Sequence, residues 1–138
     1  MHRSLLDMPS GRAQVHSWPD AEAFAVRVVP GLPGGVEEGH YHALARQLVA
    51  AAAWHLASTG GSPEVDLDEV ARVVRPELPA DRSDLAERLL STCPDRRVSE
   101  AVAQVRARGR AWVAVTEPEY NLAAWIALNC LARAGDVR

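Results

Sequence analysis

The chain is expected to be mainly α-helical: a compact bundle of about five helices with a small two-stranded β pair. Three observations predict this. Apolar residues recur at helical spacing in five stretches, at 44–56, 67–74, 85–90, 98–105 and 122–130. Two capping boxes, Asp66 with Glu69 and Thr116 with Glu119, mark helix starts. At 138 residues, 48% of them apolar, the chain is long enough to bury a core without disulfide or metal.

Residues 1–17 read as a flexible arm, because Pro9, Ser10 and Gly11 break a sparsely apolar stretch. The remainder, 18–138, reads as one helical domain. In 23–29, Phe24, Val26 and Val28 alternate with Ala25 and Arg27, which favours a strand. The preceding Ser17-Trp18-Pro19-Asp20 is read as a turn, although it also has the form of a helix cap. Pro30-Gly31-Leu32-Pro33-Gly34-Gly35 is a loop.

A long helix is expected over 38–58. Leu44, Leu48, Ala51 and His55 share one stripe, and Ala50 to Ala53 let another helix approach closely. Gly60-Gly61 ends it. The next helix starts at the Asp66 cap, with Val65 and Val70 placed as a hydrophobic staple, and stops before Pro76. A third is expected over 81–92, ended by Cys93-Pro94, and a fourth over 97–108, with Gly109 beyond its end. Residues 111–116, apolar and partly β-branched, read as a short buried strand able to pair with 23–29. The last helix follows the Thr116 cap, with Leu122, Trp125, Ile126, Asn129 and Cys130 on one side.

All 15 basic residues are Arg, which excludes Lys chemistry such as Schiff-base catalysis. The Arg- and Ala-rich composition fits a GC-rich, bacterial genome. The net charge of −3 is segregated: 61–95 hold nine acids and four Arg, while 96–116 hold five Arg and one Glu. Blocks of opposite sign so close in sequence are expected to pair with each other. Cys93 and Cys130 sit in no CxxC or His-rich setting and read as reduced, buried small hydrophobes. With no secretion signal at the start, and with 43–57 too short and polar to span a bilayer, a cytoplasmic protein is expected.

Three constellations carry chemistry. In Glu37-Glu38-Gly39-His40-Tyr41-His42, a metal would draw on Glu38, His40 and His42. A zinc site needs three or four ligands and nothing downstream repeats the spacing, so a solvated helix start is the plainer expectation and no cofactor is expected. His55 sits on the apolar stripe, where a histidine is either a satisfied core residue or a pocket acid–base group. Asn129, on the side of the last helix read as inward, would complete a polar centre if it met His55. Motifs for nucleotide loops, serine hydrolases and zinc proteases are absent, and no signature of cysteine enzymes surrounds Cys93.

Trp54 falls off the 44–55 stripe and Trp18 lies near a proline, so both are candidates for a partner contact unless the N-terminal arm covers Trp54. Arg97, Arg106, Arg108 and Arg110 form the basic surface of 96–110. These features favour a non-catalytic accessory or regulatory protein, working through helix-face contacts with a protein partner or with itself as a homodimer. One alternative is a winged-helix-like DNA binder using 96–110, against which stand Asp81, Asp84, Glu87 and the negative net charge. The other is a small enzyme built on His55 or on the Glu38/His40/His42 group.

Overall fold

The computed structural model describes residues 12–29, 36–74, 90–112 and 119–136, with side chains over 12–29, 42–74, 90–105 and 126–134. The elements run β1 (Arg12–Gln14), α1 (Trp18–Val28), α2 (Val36–Thr59), β2 (Glu64–Asp66), α3 (Leu67–Val74), α4 (Arg96–Trp112) and α5 (Glu119–Asp136). The protein is a helical bundle with a two-stranded antiparallel sheet, as expected, but the strands are not the expected ones.

Residues 23–29 belong to helix α1. Ser17 caps it: its Oγ accepts from the Asp20 N–H at 3.3 Å, and Asp20 Oδ2 accepts from the His16 N–H at 3.0 Å. The first bond satisfies one of the N–H donors that an α-helix leaves unpaired at its start, and the second ties the residue before the cap to the first turn. Ala21, Phe24, Ala25 and Val28 form the buried face, while Val26 of the alternating triplet is 54% exposed. The helical period therefore prevails over the period of two. Residues 111 and 112 are also helical, because α4 runs through Gly109 to Trp112 rather than ending at 108; 113–116 and the Thr116 cap lie outside the described residues.

The sheet pairs β1 with β2, in the register Arg12 with Asp66, Ala13 with Val65 and Gln14 with Glu64. Ala13, Val15 and Val65 are buried beneath it. Arg12 lies 3.3 Å from Glu64 Oε1 on the outer face. The expected loose arm thus gives way by Arg12 to a strand. Alternation of Arg12, Ala13, Gln14 and Val15 carried that signal in too few residues for periodicity to detect.

α2 is the axis of the bundle and touches α1, α3, α4 and α5. Leu44, Ala45, Leu48, Val49 and Ala50 to Ala53 are all at most 3% exposed. Apolar residues on nearly every side of one helix mean burial on nearly every side. Gly60 and Gly61 end it, Gly60 donating to Leu56 O at 2.8 Å and Gly61 adopting φ +75°. Asp66 caps α3 by accepting from the Asp68 N–H at 2.7 Å, and Val65 and Val70 are both buried beside it. Of the third expected helix, 81–89 lie outside the described residues; Leu90 and Ser91 are helical, and the chain leaves the helix before Cys93. On α5 the buried face is Ala127, Cys130, Leu131 and Ala134.

Candidate functional site

The two ends of the 93–97 segment are fixed to α2 by side chains. Asp95 begins α4: its carbonyl accepts from Val98 and Ser99, and its Oδ1 accepts from the Arg97 N–H at 2.9 Å. Its Oδ2 accepts from the indole N–H of Trp54 at 2.6 Å and from Arg97 Nη2 at 3.2 Å. The Arg97 guanidinium also lies 5.2 Å from the centroid of the Trp54 ring, within cation–π range. Hydrogen bonds from Arg97, then from Trp54, hold the Asp95 carboxyl below the ordinary carboxylate range, outweighing the opposite push of burial.

Trp54 is half-buried and carries the 95–97 segment against its ring; residues 1–11 of the expected arm lie outside the described residues. Asp95 to Arg97 also joins the acidic block to the basic one. Among the described residues the other ion pairs do not join the two blocks: Arg96 bonds Glu100 within the basic stretch, and Glu64 and Asp66 face Arg12.

At the next residue of α2, His55 Nδ1 and Cys93 Sγ are 3.0 Å apart. Burial lowers the His55 pKa, so its imidazole is the free base at neutral pH. Sequence reasoning found His55 but not this partner, which is 38 positions away and carries no local signature. Asn129 does not join them. It is exposed on α5, because the apolar repeat 127, 130, 131, 134 turns it to solvent.

Between α1, α2 and α4 lies an open cleft of about 350 Å³. Trp18, Ala25 and Val26 line it from α1, Arg46, Gln47 and Ala50 from α2, and Arg97, Ala101 and Gln104 from α4. Glu22 and Glu100 add two carboxylates. Small residues, Ala50 and Ala101, leave the space between the helices. Gln47 Nε2 donates to Gln104 Oε1 at 3.2 Å, whereas the buried Gln47 Oε1 meets no donor among the described residues. Arg46 is anchored through its Nε, which donates to Val29 O at 2.6 Å beyond the end of α1. Of the residues singled out for partner contact, the cleft thus gathers Trp18 and Arg97, with Trp54 behind Arg97. A second cleft, about 310 Å³, lies at Asp68, Ala71, Arg72 and Leu128; His55 lines neither.

Arg106, Arg108 and Arg110 lie on α4, with side chains outside those described. The winged-helix outline loses the start of its expected strand, since 111 and 112 are helical. Glu38 and His40 lie on α2 with side chains likewise outside the described set, and His42 is half-buried. Among the described residues no group of three or more His, Cys, Asp or Glu is arranged to hold a metal, and no helix is long and apolar enough to cross a membrane.

Fold and cleft together define the class: a small helical bundle that carries a mixed polar and apolar groove between three of its helices. The chain matches no protein-family model, no curated protein and no solved structure.

Proposed function

We propose that the protein is a non-catalytic accessory or regulatory protein that works by protein–protein contact at the α1/α2/α4 cleft, and that a second copy of the chain is the partner this surface fits. The observation that carries the reading is the composition of the cleft. It combines Trp18, exposed Val26 and half-exposed Arg97 with the buried Gln47 Oε1, which meets no donor among the described residues. Trp and Arg are the residue types that dominate contact energies. A buried acceptor without a donor costs about 1–3 kcal/mol, which an incoming N–H would recover.

The charges argue for self-recognition. Glu22 and Glu100 balance Arg46 and Arg97 on the same patch. In a two-fold contact the same patch appears on both sides, so each acid can meet an arginine of the other copy. Val26, at the cleft's edge, supplies an apolar knob, and Ala50 and Ala101 leave room for one.

Sedimentation equilibrium over a concentration series tests this. The wild-type chain is expected to dimerise. Val26→Glu at the rim and Ala101→Trp within the cleft are each expected to weaken the dimer at least about tenfold, a loss of about 1.4 kcal/mol. A wild-type chain that stays monomeric up to millimolar concentration, or a dimer indifferent to both substitutions, would overturn the reading.

A further inference from the structure

We propose that Cys93 and His55 form a thiol–imidazole pair that serves as an oxidation site, with a hydroperoxide as its co-reactant. The pair is held from both sides. His55 follows Trp54 on α2, and Cys93 precedes Asp95 by two residues, so the 2.6 Å bond from Trp54 to Asp95 fixes the same two stretches of chain that carry the pair. The Cys93 N–H donates to Leu90 O at 3.2 Å, which sets the direction in which its side chain leaves the backbone. With Sγ and Nδ1 3.0 Å apart, the thiol and a base are within hydrogen-bond reach, the geometry by which enzymes and redox sensors activate cysteine. The imidazole is uncharged at neutral pH, and its Nε2–H tautomer leaves Nδ1 a lone pair to accept the S–H proton.

The chemistry balances on these two side chains and the peroxide. His55 Nδ1 takes the thiol proton. The thiolate attacks one peroxide oxygen, an S–O bond forms and the O–O bond breaks. The departing oxygen takes the proton back from the imidazolium and leaves as water, or as an alcohol from an alkyl hydroperoxide. Sulfur is oxidised by two electrons to the sulfenic acid and the peroxide is reduced by two. Cys93 is 7% exposed, between exposed Thr92 and Pro94, which suits a small co-reactant such as a hydroperoxide.

Cys130 is a control within the same chain. It is 6% exposed, matching Cys93 in burial, and burial raises its pKa, opposed by the charge of Arg133. Exposure alone therefore predicts equal reactivity, and the imidazole predicts a difference. This inference does not depend on the partner proposed for the cleft.

The experiment treats the full chain with hydrogen peroxide in the presence of dimedone, which traps sulfenic acid, and follows each cysteine by peptide mass spectrometry. The adduct at Cys93 is expected to form roughly 10²-fold faster than at Cys130, the low end of what a positioned proton-transfer group contributes. In His55→Gln the Cys93 rate is expected to fall toward that of Cys130, whose own rate stays unchanged. Equal trapping at the two cysteines of the wild-type chain overturns the proposal without any variant. So does a Cys93 rate that survives His55→Gln in a protein with unaltered circular dichroism.

Discussion

The indole N–H of Trp54 and Oδ2 of Asp95 meet at 2.6 Å, joining the middle of the bundle to the first turn of α4. Asp95 has two further tasks, capping α4 through the Arg97 N–H and pairing with the Arg97 side chain. Asp95→Ala should therefore cost about 2 kcal/mol, roughly half from the lost cap and half from the half-buried indole left without an acceptor. Arg97 is half exposed, so the ion pair itself adds little. Urea denaturation of Asp95→Ala, Trp54→Phe and the double variant checks this. A coupling of about 1 kcal/mol is expected between the two sites, whereas strict additivity would show the contact to be energetically silent.

At the start of α1 the Ser17 Oγ accepts from the Asp20 N–H, and the Asp20 carboxylate accepts from the His16 N–H. Ser17→Ala removes one acceptor and is expected to lower stability by about 1 kcal/mol, with Ser17→Asn nearly neutral, since both Ser and Asn are good caps. Equal destabilisation by the two substitutions, measured by thermal melting, would mean that the cap is not what sets this helix.

Those two residues also show where the sequence was legible. The cap was visible in Ser17-Trp18-Pro19-Asp20, but Phe24, Val26 and Val28 spoke for a strand. A triplet with period two over five residues also fits a helix whose middle member faces outward, as Val26 does. The long α2, the Gly60-Gly61 stop and the Asp66 cap were readable because each rests on neighbours in sequence. Asn129 was misplaced because a stripe chosen from 122 to 130 sits one position off the repeat that buries Ala127, Leu131 and Ala134. For the candidate site, Trp18, Trp54, His55 and Arg97 were found one at a time. What joins them, Asp95 to Trp54 and Cys93 to His55, spans about 40 positions and follows no period, so only packing reveals it.

Gly60 holds its place for a steric reason. A Cβ there would lie 2.6 Å from the carbonyl oxygen of Leu56, which is also the acceptor of the Gly60 N–H. The clash is with backbone, so Gly60→Ala should force open the last turn of α2 at a cost of about 1–3 kcal/mol. Gly61 has φ +75° but open space around it, and asparagine tolerates that conformation. Gly61→Asn should therefore cost less than Gly60→Ala. The order of their urea midpoints is the check, and a reversed order would mean that conformation rather than space governs this turn.

His55 makes stability depend on pH in a window of its own. Burial lowers its pKa in the folded protein, while the unfolded chain titrates near the ordinary histidine value of about 6.5. Below that value the unfolded state binds the proton more readily than the folded state, so stability falls as pH drops from about 6.5 toward the folded-state pKa. Above about 6.5 the contribution is fully present. One group supplies at most about 1.4 kcal/mol per pH unit there. Asp95, also lowered, acts in a separate window: its contribution is held above the ordinary carboxylate value, near 4, and is lost only at lower pH. Urea midpoints at about pH 7.5 and about pH 5.5 should therefore converge in His55→Gln relative to wild type, with Asp95 ionised at both. Identical shifts in the two proteins would mean that the buried imidazole does not govern this window.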